Sequence, residues 1–411
     1  MKIMWITNVP VSDSPIPEQK ISPFGGWIEA GFIALSTFGG YHLTICSPAK
    51  VDRPKFAKGS LASHVAIPAN CTVEQMRKVL QTEAPDIVHI HGTELPHAAA
   101  AVAACSWARI PTVTSIQGLL GPYSSSSAFY HGIPARTRYG FSVKDALKRQ
   151  NVALLRRDFI RRSRSEKYVL NRTTAAIGRT NWDRDCVAAI NPALRYFSCN
   201  ESLRPAFYEK VWSRDGAVRY SILLAQGNYP IKGAHLAIGA LPIIRDKFPS
   251  AVLTIAGHDP THSDQSLGRL RRSAYGDYLL RLVREHRLED NVRFVGLLAE
   301  KEMLREFMRT HVSLNASSIE NSPNSLGEAM LLGVPTVTPY AGGMPSMIDS
   351  SSTAFYPAGD HYSLAGRVKQ VFEDDEYAMN LSISARKVAL RTHDGKRNAL
   401  VLSDIYQEIA G

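Results

Sequence analysis

Ser317-Ser318-Ile319-Glu320-Asn321-Ser322-Pro323-Asn324-Ser325-Leu326-Gly327-Glu328-Ala329-Met330-Leu331-Leu332-Gly333-Val334-Pro335 is the stretch on which the reading of the fold turns. Its lead-in, residues 312–314, is short and apolar, as at the end of a buried strand. Ser322 is a good N-cap and Pro323 suits a first helical turn. Leu326, Met330 and Leu331 fall on one helix face. Gly333 and Pro335 stop the helix, and residues 334–337 begin a further strand. Strand, tight turn, helix and strand in this order make the repeating unit of a parallel α/β sheet.

The two carboxylates have different addresses. Glu320 lies in the turn at the strand's carboxyl end, and Glu328 lies on the helix, about one and a half turns past the cap. Between them sits a helix N-terminus with unpaired N–H groups, a ready place for a phosphate. An acid on each flank of an anion site suits a ligand with hydroxyls on both sides of a phosphate, as in a nucleotide-sugar. Two glutamates at this spacing, taken alone, would be ordinary turn and surface residues. The flanking Gly327-Glu328-Ala329-Met330, Gly333-Val334-Pro335 and Ala341-Gly342-Gly343 change the balance. Together with the Glu-x7-Glu spacing they resemble the signature of GT-B retaining glycosyltransferases, specifically the large family 4 class.

Composition bounds the reading without choosing it. A chain of 411 residues with 45% hydrophobic and 21% charged content is an ordinary two-domain globular protein. No uncharged apolar run is long enough for a transmembrane helix. The opening Met1-Lys2-Ile3-Met4-Trp5-Ile6-Thr7-Asn8 reads as a strand meeting a polar turn, not as a signal peptide. The cysteines Cys46, Cys71, Cys105, Cys186 and Cys199 are scattered, without a Cys-x2-Cys pair. Reduced thiols in a cytoplasmic protein are therefore expected, with no zinc or disulfide framework. A net charge of +11 suits an anionic partner: a nucleoside diphosphate, a membrane surface or nucleic acid.

From the N-terminus, residues 2–7 form a strand, followed by a loop holding Pro10, Pro15, Pro17 and Pro23 and ending in Phe24-Gly25-Gly26-Trp27-Ile28. Gly25 and Gly26 sit at the mouth of a strand–loop–helix unit, where ligands enter open α/β sheets. They serve either close backbone approach to a ligand or a plain turn. Residues 85–93 form a buried strand with His91 at its carboxyl end. His91 faces a cleft or packs in the core, and for His89 the core is favoured. Residues 110–118 are the next strand and its exit, followed by a segment over 119–141 that reads as an acceptor-side loop or a plain surface loop. Residues 144–172 carry ten Lys and Arg against three acids, with Val152, Leu155 and Phe159 on one helix face. That is either a membrane-surface helix or a solvated basic face. No nucleic-acid-binding signature accompanies it. Asp183-x-Asp185 opens a helix, where acids favour the dipole, and is not read as a metal site. Arg179, just before it, is a candidate cleft cation or a surface residue. Periodicity fails over 196–205, which sets a domain boundary.

The second half repeats the alternation. Residues 220–233 read as strand, glycine turn and helix start, with Lys232 at the strand's carboxyl end in reach of a diphosphate. Strands over 251–256 and 291–295 follow, then the stretch quoted above, then helices over 363–372, 376–390 and 397–409. Two doubly wound Rossmann-like α/β domains facing a central cleft are expected. The boundaries are 1–203 for an acceptor-side domain and 204–390 for a nucleotide-sugar-binding domain, with residues 391–411 as a C-terminal helix packing back on the first.

The resemblance implies more than the spacing does. It implies a GT-B enzyme that moves a sugar from a nucleoside-diphosphate sugar to a hydroxyl of a glycan or lipid-linked acceptor, with retention. Cell-surface polysaccharide biosynthesis is the expected setting, and the expected location is cytoplasmic, with peripheral contact to an anionic membrane. No cofactor, metal or nucleic acid is expected. Glu320 would bind donor sugar hydroxyls and Glu328 the ribose. Lys232 and the backbone at Asn324, Ser325 and Leu326 would meet the diphosphate, with Gly25 and Gly26 facing the donor. The turn at Leu297 would lie against the base. His91 and Gln117 would stand near the transferred sugar. The chain departs from the family at two places: Gln117 stands where a histidine is common, and Gly227 where an arginine precedes the lysine. Arg179 is the candidate to replace that arginine. The rival readings are a non-catalytic scaffold or another nucleotide-sugar or NAD enzyme. The absence of Gly-x-Gly-x-x-Gly after the first strand counts against NAD.

Overall fold

The computed structural model describes residues 1–20, 25–262 and 268–411. Pro23 and Phe24 of the proline-rich loop lie outside them. The chain divides into two compact units. The first comprises Met1–Pro122, Ile160–Pro205 and Thr392–Gly411, and the second Tyr123–Phe159 and Ala206–Arg391.

In the first unit the strands are β1 (Lys2–Ile6), β2 (His42–Ala49), β3 (Lys55–Lys58), β4 (Ser63–Pro68), β5 (Ile87–His91), β6 (Thr112–Ser115), β7 (Ala175–Gly178) and β8 (Arg195–Ser198). They form one sheet in the order β3-β4-β2-β1-β5-β6-β7-β8. Every pairing is parallel except β3 with β4 at the edge. Strands buried on both faces read as continuous apolar runs, which is why β1 (KIMWI) was legible. Alternate residues of β1 feed two cores. Met4 and Ile6 pack with Val65, Val88, Ile90 and Val102. Ile3 and Trp5 pack with Phe32, Leu35 and Tyr406 on the other face. Tyr406 belongs to the helix Gly395–Ala410, and its hydroxyl accepts the Trp5 indole N–H at 2.9 Å.

The second unit holds β9 (Ser221–Leu224), β10 (Val252–Ala256), β11 (Val292–Gly296), β12 (Val312–Leu314), β13 (Thr336–Tyr340) and β14 (Ala354–Pro357). Their order is β11-β10-β9-β12-β13-β14, all parallel. Strand order reverses between β9 and β12, and in the first unit between β1 and β5. Such switch points open a crevice at the strands' carboxyl ends.

Two expectations are corrected here. The segment over 119–141 is not a loop of the first domain. From Tyr123 onward it folds with the second unit, as the short helices Leu120–Ser125 and Ala135–Tyr139 around a 3₁₀ turn at Ser127–Tyr130. The reason is burial. Phe129 and Ile133 are fully covered, and Phe129 meets Phe159 edge-on at 5.5 Å. The carbonyls of His131 and Gly132 accept bonds from His235 Nε2 (2.7 Å) and the Tyr278 hydroxyl (3.0 Å). Likewise 144–172 is two helices, Val143–Lys148 and Val152–Leu170. Arg149, at φ 49°, breaks them with a left-handed cap.

The helix of the deciding stretch runs Asn324–Leu332 and begins one residue later than the capping pattern predicts. Pro323, with an extended ψ of 121°, is itself the N-cap, and its carbonyl accepts the Leu326 N–H at 3.0 Å. Gly333 closes the helix at φ 79°.

Candidate active site

The switch point of the second sheet is where the strongest candidates meet. The β9 exit carries Lys232 on a 3₁₀ turn, Pro230–Lys232, and the β12 exit carries Glu320. The Lys232 ammonium donates to Glu320 Oε2 as a close ion pair. The other oxygen, Oε1, accepts from the Tyr123 hydroxyl and from the Asn321 backbone N–H, each at 3.3 Å. Glu320 is 8% exposed, so these donors take the place of the water it gives up. Two glycines let the loops come this close. A Cβ on Gly233 (φ 74°) would stand 1.8 Å from the Ala316 carbonyl oxygen. A Cβ on Gly342 (φ 52°) would stand 1.9 Å from that of Glu320. The Gly343 N–H then bonds the same Glu320 carbonyl at 2.9 Å.

Glu328 lies inside the helix Asn324–Leu332 and is 6% exposed, so it is no solvated surface residue. The helix start is uncapped by any side chain. Ser325 and Pro323 line a narrow crevice with Gln226, Lys232, Asn315 and Ser317. Backbone N–H groups at such a start, beside one ammonium, are chemistry for an anion. On the other side of the β9 exit a cavity of about 570 Å³ opens. Asn228, Tyr229, His258, Asp259, Gly296 and Leu297 line it, from the exits of β9, β10 and β11. Gly227 lies beneath: a Cβ there would stand 2.3 Å from Ile255 Cγ2. A side chain at this position, the expected arginine included, would require Ile255 to shift.

The remaining candidates sit in the first unit. His91 ends β5 and is 6% exposed, beside Trp5 (ring centroids 4.7 Å) and His89 (3.9 Å). Among the described residues neither of its ring nitrogens has a hydrogen-bond partner. Burial pushes its pKa down to about 3, so the imidazole is neutral. His89 bonds Tyr406 Oη at 2.5 Å and Ser115 Oγ at 2.7 Å, a satisfied core histidine. Gln117 donates its amide to Glu201 Oε1 at 2.8 Å. Arg179 pairs with Glu201 Oε2 at 2.6 Å and donates to the Ile116 and Gln117 carbonyls. Its guanidinium ties the β6 and β7 exits together, and Arg179 also lines a cavity that it shares with His91 and Glu201. Gly25 caps the helix Gly26–Phe38, and the space a Cβ on Gly26 would take is filled by Arg204 Cγ at 2.5 Å.

Sequence reasoning missed Tyr123 and Glu201. Tyr123 stands 197 positions before its partner Glu320, with no local motif. Glu201 falls where periodicity fails, although a lone acid beside an exit arginine is a signal of sorts. Among the described residues no group of three His, Cys, Asp or Glu is placed to hold a metal ion, and no helix is long and apolar enough to cross a membrane.

Residues 218–388 match the family model described as glycosyl transferases group 1. A glycogen synthase of Mycobacterium tuberculosis is 30% identical over 176 residues, 43% of this chain and 39% of the relative. The chain thus spans well under half of the curated relative it matches. Among solved structures, sucrose-phosphate synthase from Thermosynechococcus elongatus superposes with a TM-score of 0.70 at 16% identity, over 99% of this chain and 98% of that one. HepE of Anabaena, solved with UDP-glucose, superposes with a TM-score of 0.68 at 16% identity, over 99% and 100%. The match over 218–388 places the second half of the chain with the glycosyl transferases group 1, and the two parallel-sheet units share the fold of these GT-B structures.

Proposed function

We propose that this chain transfers a hexose from a nucleoside-diphosphate sugar to a hydroxyl of a glycan or lipid-linked acceptor, with retention, as a family 4 member in cell-surface polysaccharide biosynthesis. The Lys232–Glu320 pair beside the start of the helix Asn324–Leu332 carries the reading. With donor bound, Lys232 turns from Glu320 to the diphosphate, where it and the N–H groups of Asn324, Ser325 and Leu326 offset the charge of the leaving group. Glu320, released and held by Tyr123, binds sugar hydroxyls. Glu328 binds the ribose. Leu297 lies against the base. His91, neutral and unpartnered, offers one donor and one acceptor to an uncharged hydroxyl, and Gln117 is held in place by Glu201 within the first unit. The route uses no metal.

The acceptor's setting draws on a surface feature. Tyr139, Phe141, Val143 and Leu147 are all exposed, beside exposed Lys148 and Arg149. Apolar side chains interleaved with cations suit an anionic membrane surface seen from the cytoplasm. Within Val152–Leu170, by contrast, Arg156 is bonded to the Ser124 carbonyl and Arg162 to Glu94. The patch rather than the long helix is the membrane-facing element.

The test is transfer by purified protein from UDP-, GDP- and ADP-hexoses to glycan and polyprenyl acceptors, with and without EDTA, and NMR of the new anomeric centre. Transfer with retention, unaffected by EDTA and abolished in Glu320→Gln, is expected. Binding without turnover would favour a scaffold. NAD binding alone would favour a dehydrogenase.

A further inference from the structure

The cavity beyond the β9 exit has a second wall that the sheet does not supply. Lys144, Asp145, Gln150 and Asn151 line it opposite Asn228, His258 and Leu297. They belong to the segment Tyr123–Phe159, which leaves the first half of the sequence to fold with the second unit. This wall is held firmly. Asp145 is 1% exposed and accepts the Ala274 N–H at 2.6 Å and the Gln150 amide at 3.3 Å. Ser142 closes a capping box with it, so the helix Val143–Lys148 begins at a fixed point. Asn151 is bonded in turn: its amide donates to the Tyr139 carbonyl at 3.3 Å, and its oxygen accepts the Leu154 N–H at 2.8 Å.

Lys144 differs from its neighbours. Its ammonium lies 3.5 Å from His262 Nε2 and makes no ion pair among the described residues. Burial, and then the like charge of Lys148, push its pKa down, while Asp145 and Asp259 oppose this. A lysine held in a cavity without a carboxylate partner has donor capacity to spare.

Loop 225–233 is shared by this cavity and by the crevice of Lys232 and Ser325. A ligand with its diphosphate at the crevice can reach past the loop, so that its nucleoside end enters the cavity. We propose that the 144–151 segment is the base-reading wall of the donor site, and that Lys144 selects a keto base. The inference rests on the donor-site reading above. Uracil and guanine present a carbonyl oxygen where cytosine and adenine present an amino group. An ammonium donor bonds the first pair and opposes the second.

Calorimetry with UDP, GDP, CDP and ADP on the full chain tests this, with wild type, Lys144→Met and Lys144→Arg. Wild type should bind UDP or GDP at least about tenfold more tightly than CDP and ADP. In Lys144→Met the gap should close to within about threefold, by loss of the keto-base nucleotide alone. Lys144→Arg should keep the preference, because it keeps the donor. Unchanged CDP and ADP binding doubles as the control for folding. Equal weakening of all four in Lys144→Met would show a bulk charge effect and overturn the proposal, as would an unchanged preference or a wild-type preference for CDP or ADP. In those cases the donor site itself stands. If no nucleotide binds wild type, the donor-site reading fails and takes the base wall with it.

Discussion

Lys232 and Glu320 neutralise each other across the switch point of the second sheet, although 88 positions separate them in the chain. Each is largely covered, at 17% and 11% side-chain exposure. Removing one leaves the other buried without its counter-ion, which is costly for a covered pair. Lys232→Ala should lower kcat by about a hundredfold to a thousandfold, the loss typical of one oxyanion donor. Steady-state kinetics check it. A drop under about tenfold would mean that other groups carry the diphosphate.

Glu328→Ala should weaken nucleoside-diphosphate binding without changing that of inorganic pyrophosphate. The carboxylate sits inside the helix and past its N-terminus, where the proposed reading puts the ribose. Loss of one hydrogen-bonded carboxylate should cost about 1.5–3 kcal/mol in calorimetry. Equal loss for pyrophosphate would assign it a structural part only.

Restoring the family's arginine should fail. At position 227 the Cβ alone would meet Ile255 Cγ2 at 2.3 Å, a branched methyl that cannot swing away. Gly227→Arg is expected to lose about 1–3 kcal/mol in urea unfolding and to give no gain in kcat. Gly227→Arg combined with Ile255→Ala tests the cause, since relief of the clash should recover part of the stability.

Acid should destabilise the fold through its buried histidines. Burial holds His97, His235 and His393 down to about 4. Their folded pKa values lie below the unfolded value near 6.5. The unfolded chain therefore binds protons first as pH falls, and stability present above about 6.5 is lost toward about 4. Urea midpoints from pH 7.5 to 4.5 should fall, and His235→Gln should flatten that fall by about 2 kcal/mol. An unchanged slope would show that His235 takes no part.

Much of this was legible because each signal was local. The β1 run, the glycine stops at Gly233 and Gly333, and the spacing of Glu320 and Glu328 are all read within a few residues of the feature they fix. The rest depends on distance. Edge strand β3 is short and half polar, and β8 (Arg195–Ser198) has no buried face, so neither shows a period. The turn at His131 and Gly132 looks like loop until His235 and Tyr278, 104 and 146 positions further on, donate to its carbonyls. Gly26 looked like an opening for a ligand, and only the fold reveals Arg204 in that space.

The interleaving of the two units has a consequence for the order of synthesis. Trp5 leaves the ribosome 401 positions before the Tyr406 hydroxyl that receives its indole N–H. The second unit likewise waits from Tyr123 to Arg391 for its last residues. Domains ordinarily complete one after another as the chain emerges. Here neither can, because each unit holds open a gap that the other's sequence must be translated to reach. Both cores therefore close late and nearly together, and the nascent chain carries two unfinished apolar faces for most of its translation.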